Sequence, residues 1–206
     1  MSEVLLRVQD VWKWRGGRPV LRGVSFEARA GEAIAIGGEN GAGKSTLLGI
    51  LAGMLAPDRG RIERLAASAH CPQEPAVYGQ LSPAEHFALF GAALGLDRQD
   101  AARRGEALLH RFAFARDAKR PADVLSGGTR QKLNLCLALL GEPRLLFLDE
   151  PYGGFDVESH RRYEAWRAEA CASGSCIVAV THLSLDRGAY HRRYELRDGR
   201  FDAAAA

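Results

Sequence analysis

Residues 32–51 read EAIAIGGENGAGKSTLLGIL, and the order of residue types in this stretch decides the fold class. The run EAIAIGG (32–38) is short, apolar and closed by glycines, as a strand buried in a parallel sheet should be. From Ser45 to Met54 a helix is expected, with Leu47, Leu48, Leu51 and Leu55 at helical spacing. Between them stands GENGAGKS (38–45), a match to G-x-x-x-x-G-K-[ST]. The glycines let the backbone curl until its N–H groups face phosphate. The lysine then reaches the outer phosphate oxygens, and the serine hydroxyl is placed for Mg²⁺. A glycine-rich turn before a helix is the plain alternative, but strand, loop and helix in this order are the context a phosphate loop requires. Gly38, Asn40, Gly41, Ala42, Gly43, Lys44, Ser45 and Thr46 are the candidate phosphate-binding residues.

Further along, LLFLDE (145–150) is an apolar strand that delivers two carboxylates at its carboxyl end, where ligands sit in a parallel sheet. Such a pair is often only a solvated strand end. Behind a phosphate loop, Asp149 becomes a candidate Mg²⁺ ligand and Glu150 a candidate general base for water attacking a γ-phosphate. His182 closes the strand-like CIVAVTH (176–182) at the same expected edge, where it could hydrogen-bond a phosphate oxygen. A second anion device appears in LSGGTRQKL (125–133), a serine and two glycines at the mouth of a helix, where free N–H groups and the positive dipole end favour phosphate.

The composition leaves room for a proper core, since 47% of the 206 residues are hydrophobic and 26% charged. No stretch approaches the 18 or so apolar residues of a membrane span, and MSEVLLRVQD lacks a signal peptide's apolar core, which predicts a soluble, cytoplasmic chain. A formal charge of +3 is too mild to argue for nucleic acid. Cys71, Cys136, Cys171 and Cys176 form no CxxC pair and read as reduced, two of them as small core residues.

VLLRVQDV (4–11) and VLRGVSFEA (20–28) are expected as strands around a turn at RGGRP. In SPAEHFALFGAALG (82–95), Ser82 is the expected N-cap, Pro83 the first helical residue and Glu85 the partner of a capping box. A second helix is expected over 97–114, so residues 75–125 read as a helical insert. After it come helix 128–140, strand 144–149, helix 157–172 and a hairpin around Asp198-Gly199, an alternation that argues for a mainly parallel α/β sheet.

Over essentially its whole length the chain resembles the ATP-binding cassette of an ABC transporter. The motifs follow in the family's order: Walker A at 38–45, the Q-loop Gln73 in CPQEP, the signature LSGGTRQ at 125–131, Walker B at 145–149 with Glu150, the D-loop GGFD at 153–156 and His182. The resemblance implies a P-loop NTPase core with a mainly parallel sheet, a small antiparallel β lobe and an inserted α-helical subdomain. It implies one domain over 1–206, with 1–74 and 126–206 as catalytic core and 75–125 as the helical subdomain. ATP and Mg²⁺ are the implied ligands. Ser45, Gln73 and Asp149 would hold the metal, and Glu150, His182 and Gln73 would serve catalysis. In this family two cassettes pack head to tail, so Ser126, Gly127 and Gly128 would clamp a γ-phosphate held by the other chain, with Asp156 of the D-loop nearby. The implied partners are a second cassette, identical or paired, and integral membrane transporter subunits, with no nucleic acid. The implied location is peripheral, at the cytoplasmic face of the membrane.

Some positions depart from the pattern. The aromatic residue that stacks on adenine aligns with Arg15, so Trp14 is taken as the stacker with Arg15 as the alternative. The D-loop carries Tyr152, Gly154 and Phe155 where a small residue and leucine are commoner. The short stretch from Lys44 to Gln73 predicts a trimmed β lobe. The helices after Val77 resemble those of exporters. The competing reading is a non-transport cassette acting in translation or DNA repair, but the chain has neither the two cassettes of the former nor the coiled coil of the latter.

Overall fold

The computed structural model describes residues 2–181 and 190–202. The chain forms two compact units, one from Met1–His70, Arg144–Glu150 and Arg167–Ala206, the other from Cys71–Pro143 and Pro151–Trp166.

The first unit is organised by a sheet of order β5-β6-β7-β3-β8-β9. These strands are β3 (Ala33–Gly37), β5 (Ser68–Cys71), β6 (Leu145–Asp149), β7 (Cys176–Val180), β8 (Arg192–Arg197) and β9 (Arg200–Phe201). Every residue of β3, β6 and β7 is buried, which is why each reads as an unbroken apolar run. The three are parallel and in step: Ile36 lies beside Val180, and Val180 beside Asp149. Their carboxyl ends therefore share one edge. Helix α1 (Lys44–Leu51) leaves that edge and packs on β6 and β7. Its last carbonyls are satisfied by Arg64, whose guanidinium donates to Ile50 and Leu51. The expected hairpin at Asp198-Gly199 joins β8 to antiparallel β9.

A three-stranded antiparallel sheet of order β2-β1-β4 completes this unit. β1 (Val4–Arg15) and β2 (Arg18–Arg29) run longer than the alternation of apolar residues predicts, and only Gly16-Gly17 remains as the turn. The cause is a bulge at Asp10, which sits at φ 47°. It breaks the alternation between buried Val8 and Val11, so the phase of the second half of β1 is hidden in the sequence. β4 (Arg59–Arg64) also escapes sequence reading, because RGRIER is a polar edge strand whose only apolar residue is Ile62. Arg7 of β1 bridges to Glu27 on β2 and Glu63 on β4, each at 3.0 Å.

The second unit is helical. α2 (Pro83–Ala93) opens with the expected capping box: Ser82 Oγ accepts from the Glu85 N–H and the Glu85 carboxylate accepts from the Ser82 N–H. It crosses α3 (Arg98–Arg111) closely, since a β-carbon on Gly105 would lie 2.3 Å from the Phe87 ring. α4 (Gly127–Leu139) and the first part of α5 (Val157–Ala172) complete the unit. The unit is wider than residues 75–125, because α4 packs on both α2 and α3, and Arg104 of α3 donates to the Leu140 carbonyl. All four cysteines are buried and outside any disulfide. Burial pushes the Cys176 thiol up to about 12 and the Cys136 thiol well above its ordinary value.

Candidate functional site

In the first unit the glycine loop springs from the end of β3. Gly38 and Gly43 have φ of 140° and 106°. A β-carbon at Gly38 would stand 2.3 Å from the Leu196 carbonyl oxygen, and one at Gly43 would stand 3.0 Å from that of Val20, so only glycine fits either place. Lys44 is folded into its own loop: Nζ donates to the Gly38 carbonyl at 2.7 Å and the Glu39 carbonyl at 3.0 Å. A lysine so held has donors that can pass from carbonyl to phosphate oxygens. Beside the loop lies a cleft of about 380 Å³, bordered by Glu39–Ala42, Val20, Arg22 and Arg197.

β6 brings its carboxylates to the same edge. Asp149 is only 7% exposed and hydrogen-bonds the Ser45 hydroxyl. Burial raises its carboxyl above the usual range. The Ser45 hydrogen bond opposes this, and the neighbouring Glu150 charge adds to it. Asp149 and Ser45 are a pair of oxygen donors of the kind Mg²⁺ takes. Glu150 stands in the left-handed region at φ 44°, fixed by its N–H to the Val180 carbonyl at 3.0 Å. That conformation is costly for a non-glycine residue, and such residues gather at active sites. His70 on β5 also feels the Asp149 charge, although burial lowers its basicity. Sequence reading passed over it, and its only signal was its place three residues before Gln73. His182 lies outside the described residues.

Trp14 lies near the end of β1. Its ring stacks on Trp12, with centroids 5.6 Å apart and planes 13° from parallel, and the Arg59 guanidinium lies 5.4 Å from it. Both tryptophans therefore share one face of β1. Lys13 and Arg15 lie on the other face by alternation. Lys13 is paired with Leu21, whose side chain reaches within 3.2 Å of the β-carbon position of Gly43 in the glycine loop. The loop side of β1 thus carries Arg15, and Trp14 points away from it.

In the second unit Ser126 caps α4, its Oγ accepting the Thr129 N–H at 3.2 Å. Ser126 and Gly127 are exposed. Gly128 is pressed against the turn at 153–154, since a β-carbon there would lie 2.4 Å from the Gly154 carbonyl oxygen. Asp156 caps α5 through the Ser159 N–H at 2.7 Å, and hydrogen bonds from the Ser159 hydroxyl and N–H hold its carboxyl below the usual range. Gln73 is exposed and borders a cavity of about 650 Å³ together with Gly127, Gly128, Gly153 and Gly154. Among the described residues there is no cluster of three or more His, Cys, Asp or Glu fit for a metal, and no helix long and apolar enough to cross a membrane.

A family model described as ABC transporter matches residues 21–153, more than half of the chain. The chain belongs to the ABC transporter family. It is 34% identical to the lipopolysaccharide export system ATP-binding protein LptB of Acidithiobacillus ferridurans, over 97% of this chain and 89% of that protein. It is 35% identical to the cytochrome c biogenesis ATP-binding export protein CcmA of Rhodopseudomonas palustris, over 87% of this chain and 92% of that protein. Identity to the Nod factor export ATP-binding protein I of Azorhizobium caulinodans is 32% over 85% of this chain, which spans 59% of that protein's length. Among solved structures, an ATP-binding subunit of an ABC transporter superposes with a TM-score of 0.88 at 30% identity, over 97% of this chain and 88% of that one. This ABC cassette therefore has the P-loop NTPase fold, with a mainly parallel sheet and an antiparallel β lobe.

Proposed function

We propose that the chain is the ATP-binding and ATP-hydrolysing subunit of an ABC membrane transporter, closing on ATP with a second cassette to drive export. The observation that carries this reading is the shared strand edge, where a lysine-bearing glycine loop meets a serine hydroxyl on a buried aspartate and a glutamate held in a strained backbone conformation. Lys44 would exchange its two carbonyl partners for phosphate oxygens. Ser45 and Asp149, with the Gln73 carboxamide that the family resemblance adds, would hold Mg²⁺. When bound, the metal offsets the negative charge of the phosphates. Glu150 would take the proton of the attacking water while its oxygen bonds to the γ-phosphorus and the bond to the bridging oxygen of ADP breaks. His182 would donate to a γ-phosphate oxygen, and Ser126, Gly127 and Gly128 would grip the γ-phosphate of the partner chain, with Asp156 at the same junction. The chain would sit peripherally at the cytoplasmic face of the membrane.

The relatives named as export proteins support transport over a role in translation or DNA repair. The test is purification of the tagged chain from detergent-solubilised membranes. An integral membrane protein should co-purify, and the complex should release phosphate from ATP until Mg²⁺ is chelated. Recovery with ribosomes or DNA and no membrane protein would overturn the reading.

For the base we propose Arg15 in place of Trp14, since Arg15 is on the loop side of β1. A guanidinium can stack flat on a purine as an aromatic ring does. Stacking is similar in ground and transition states, so Arg15→Ala should raise the ATP KM and leave kcat nearly unchanged. Trp14→Ala should leave both near the parental values. The reverse pattern would return the role to Trp14.

A further inference from the structure

Helix α4 carries Gly127, Gln131 and Asn134 at positions i, i+4 and i+7, a single stripe of one helix face. The two carboxamides on this stripe are used very differently. Asn134 is fully engaged by the segment that holds Gln73: its Nδ2 donates to the Pro72 carbonyl at 2.8 Å, and its Oδ1 accepts the Ala76 N–H at 3.2 Å. One turn nearer the start of α4, Gln131, the last residue of the signature, is 2% exposed, and neither its Nε2 nor its Oε1 has a partner among the described residues. Gln131 borders the same 650 Å³ cavity as Gln73, Glu74, Pro75 and Val77. Among the described residues, Glu74 to Val77 make no backbone–backbone hydrogen bond.

A buried carboxamide with both ends unpaired bears its full desolvation penalty, whereas an apolar side chain of similar shape would bear none. Gln131 is therefore a poor choice for this conformation alone. A peptide group offers one acceptor and one donor, the complement of a carboxamide, as Asn134 already demonstrates one turn away. We infer that Gln131 is a positioning residue for Gln73. When nucleotide is engaged, the 73–77 segment advances along α4 toward the signature, and its main chain pairs with the Gln131 carboxamide. This rests on the proposed ATP-binding function. It makes α4 a ruler with two stops: Asn134 holds the segment in the conformation described here, and Gln131 latches it once nucleotide is engaged.

The test uses the full chain carrying Glu150→Gln, with hydrogen exchange followed by mass spectrometry with and without Mg²⁺-ATP. ATP should slow exchange both at 38–51 and at 73–77. Adding Gln131→Leu, or Gln131→Met as the closer match in length, should keep the first protection and lose the second. Thermal unfolding without nucleotide should give a Tm equal to or above that of the Gln131 parent, because no native hydrogen bond is removed. Equal protection of 73–77 in the parent and both variants would overturn the inference, as would a lowered Tm in both variants. Absence of ATP protection at 38–51 in the parent would instead strike the nucleotide reading itself, and the inference with it.

Discussion

Glu150→Gln is expected to bind Mg²⁺-ATP as tightly as the parent and to lose turnover by a factor of about 10²–10⁴, the usual cost of removing a general base. The substitution is close to isosteric, and glutamine can keep the left-handed backbone and the N–H bond to Val180 that fix position 150. What disappears is the ability to take a proton from water. In the proposed site, binding rests on other groups, chiefly Lys44 and the N–H groups of the 38–45 loop, so affinity and turnover should separate. Lys44→Ala should do the opposite first, weakening the grip on the phosphates. Phosphate release under saturating ATP, beside equilibrium nucleotide binding, reads the two quantities independently. Hydrolysis by Glu150→Gln at the parental rate would remove the assigned role.

Ser126→Arg should abolish ATP-driven dimerisation and hydrolysis while leaving the ATP affinity of a single chain nearly intact. Ser126 is exposed at the mouth of α4, and a bulky cation there would fill the place proposed for a phosphate held by another chain. The arginine also removes the N-cap, a loss of about 1 kcal/mol that would blur the result. Gly127→Asp avoids this. Nothing lies within 4 Å of the position its β-carbon would take, so the fold accepts the side chain while its charge repels phosphate. Mixing sharpens the test. Lys44→Ala and Ser126→Arg chains are each inactive alone, but their heterodimer pairs one intact glycine loop with one intact signature. Recovery of part of the activity on mixing is the expected result, read by phosphate release across a titration of one variant into the other. Parental activity in Ser126→Arg would refute the clamp.

The parts of the site that were legible in the sequence are those set by short-range chemistry. The 38–45 loop announces itself because glycine, lysine and serine must stand at fixed spacing, and β6 because a doubly buried strand has to be apolar up to its carboxylates. The capping box at Ser82 and Glu85 is equally local. What stayed hidden depends on pairing between distant segments. Residue type favours Trp14 over Arg15 because Trp14 is aromatic, and the face of β1 that each residue occupies is set by the stacking of Trp14 on Trp12 and the ladder to β2, which residue type alone does not reveal. β4 has too few apolar residues to betray a strand, and its place is fixed by the ladder to β1. Gln131 and Asn134 sit within a helix that reads as signature followed by core, and their difference emerges only when each is checked for a partner.

The buried cysteines have a practical consequence. A thiol must ionise and meet solvent to be alkylated. All four here are buried, and burial raises the thiols of Cys136, Cys171 and Cys176 above their ordinary range. The native thiols should therefore stay silent toward maleimide under non-denaturing conditions, with mass spectrometry showing the unmodified chain. A single cysteine introduced at the exposed Glu74 would then carry a fluorophore or spin label alone, without first stripping the protein of its own sulfur.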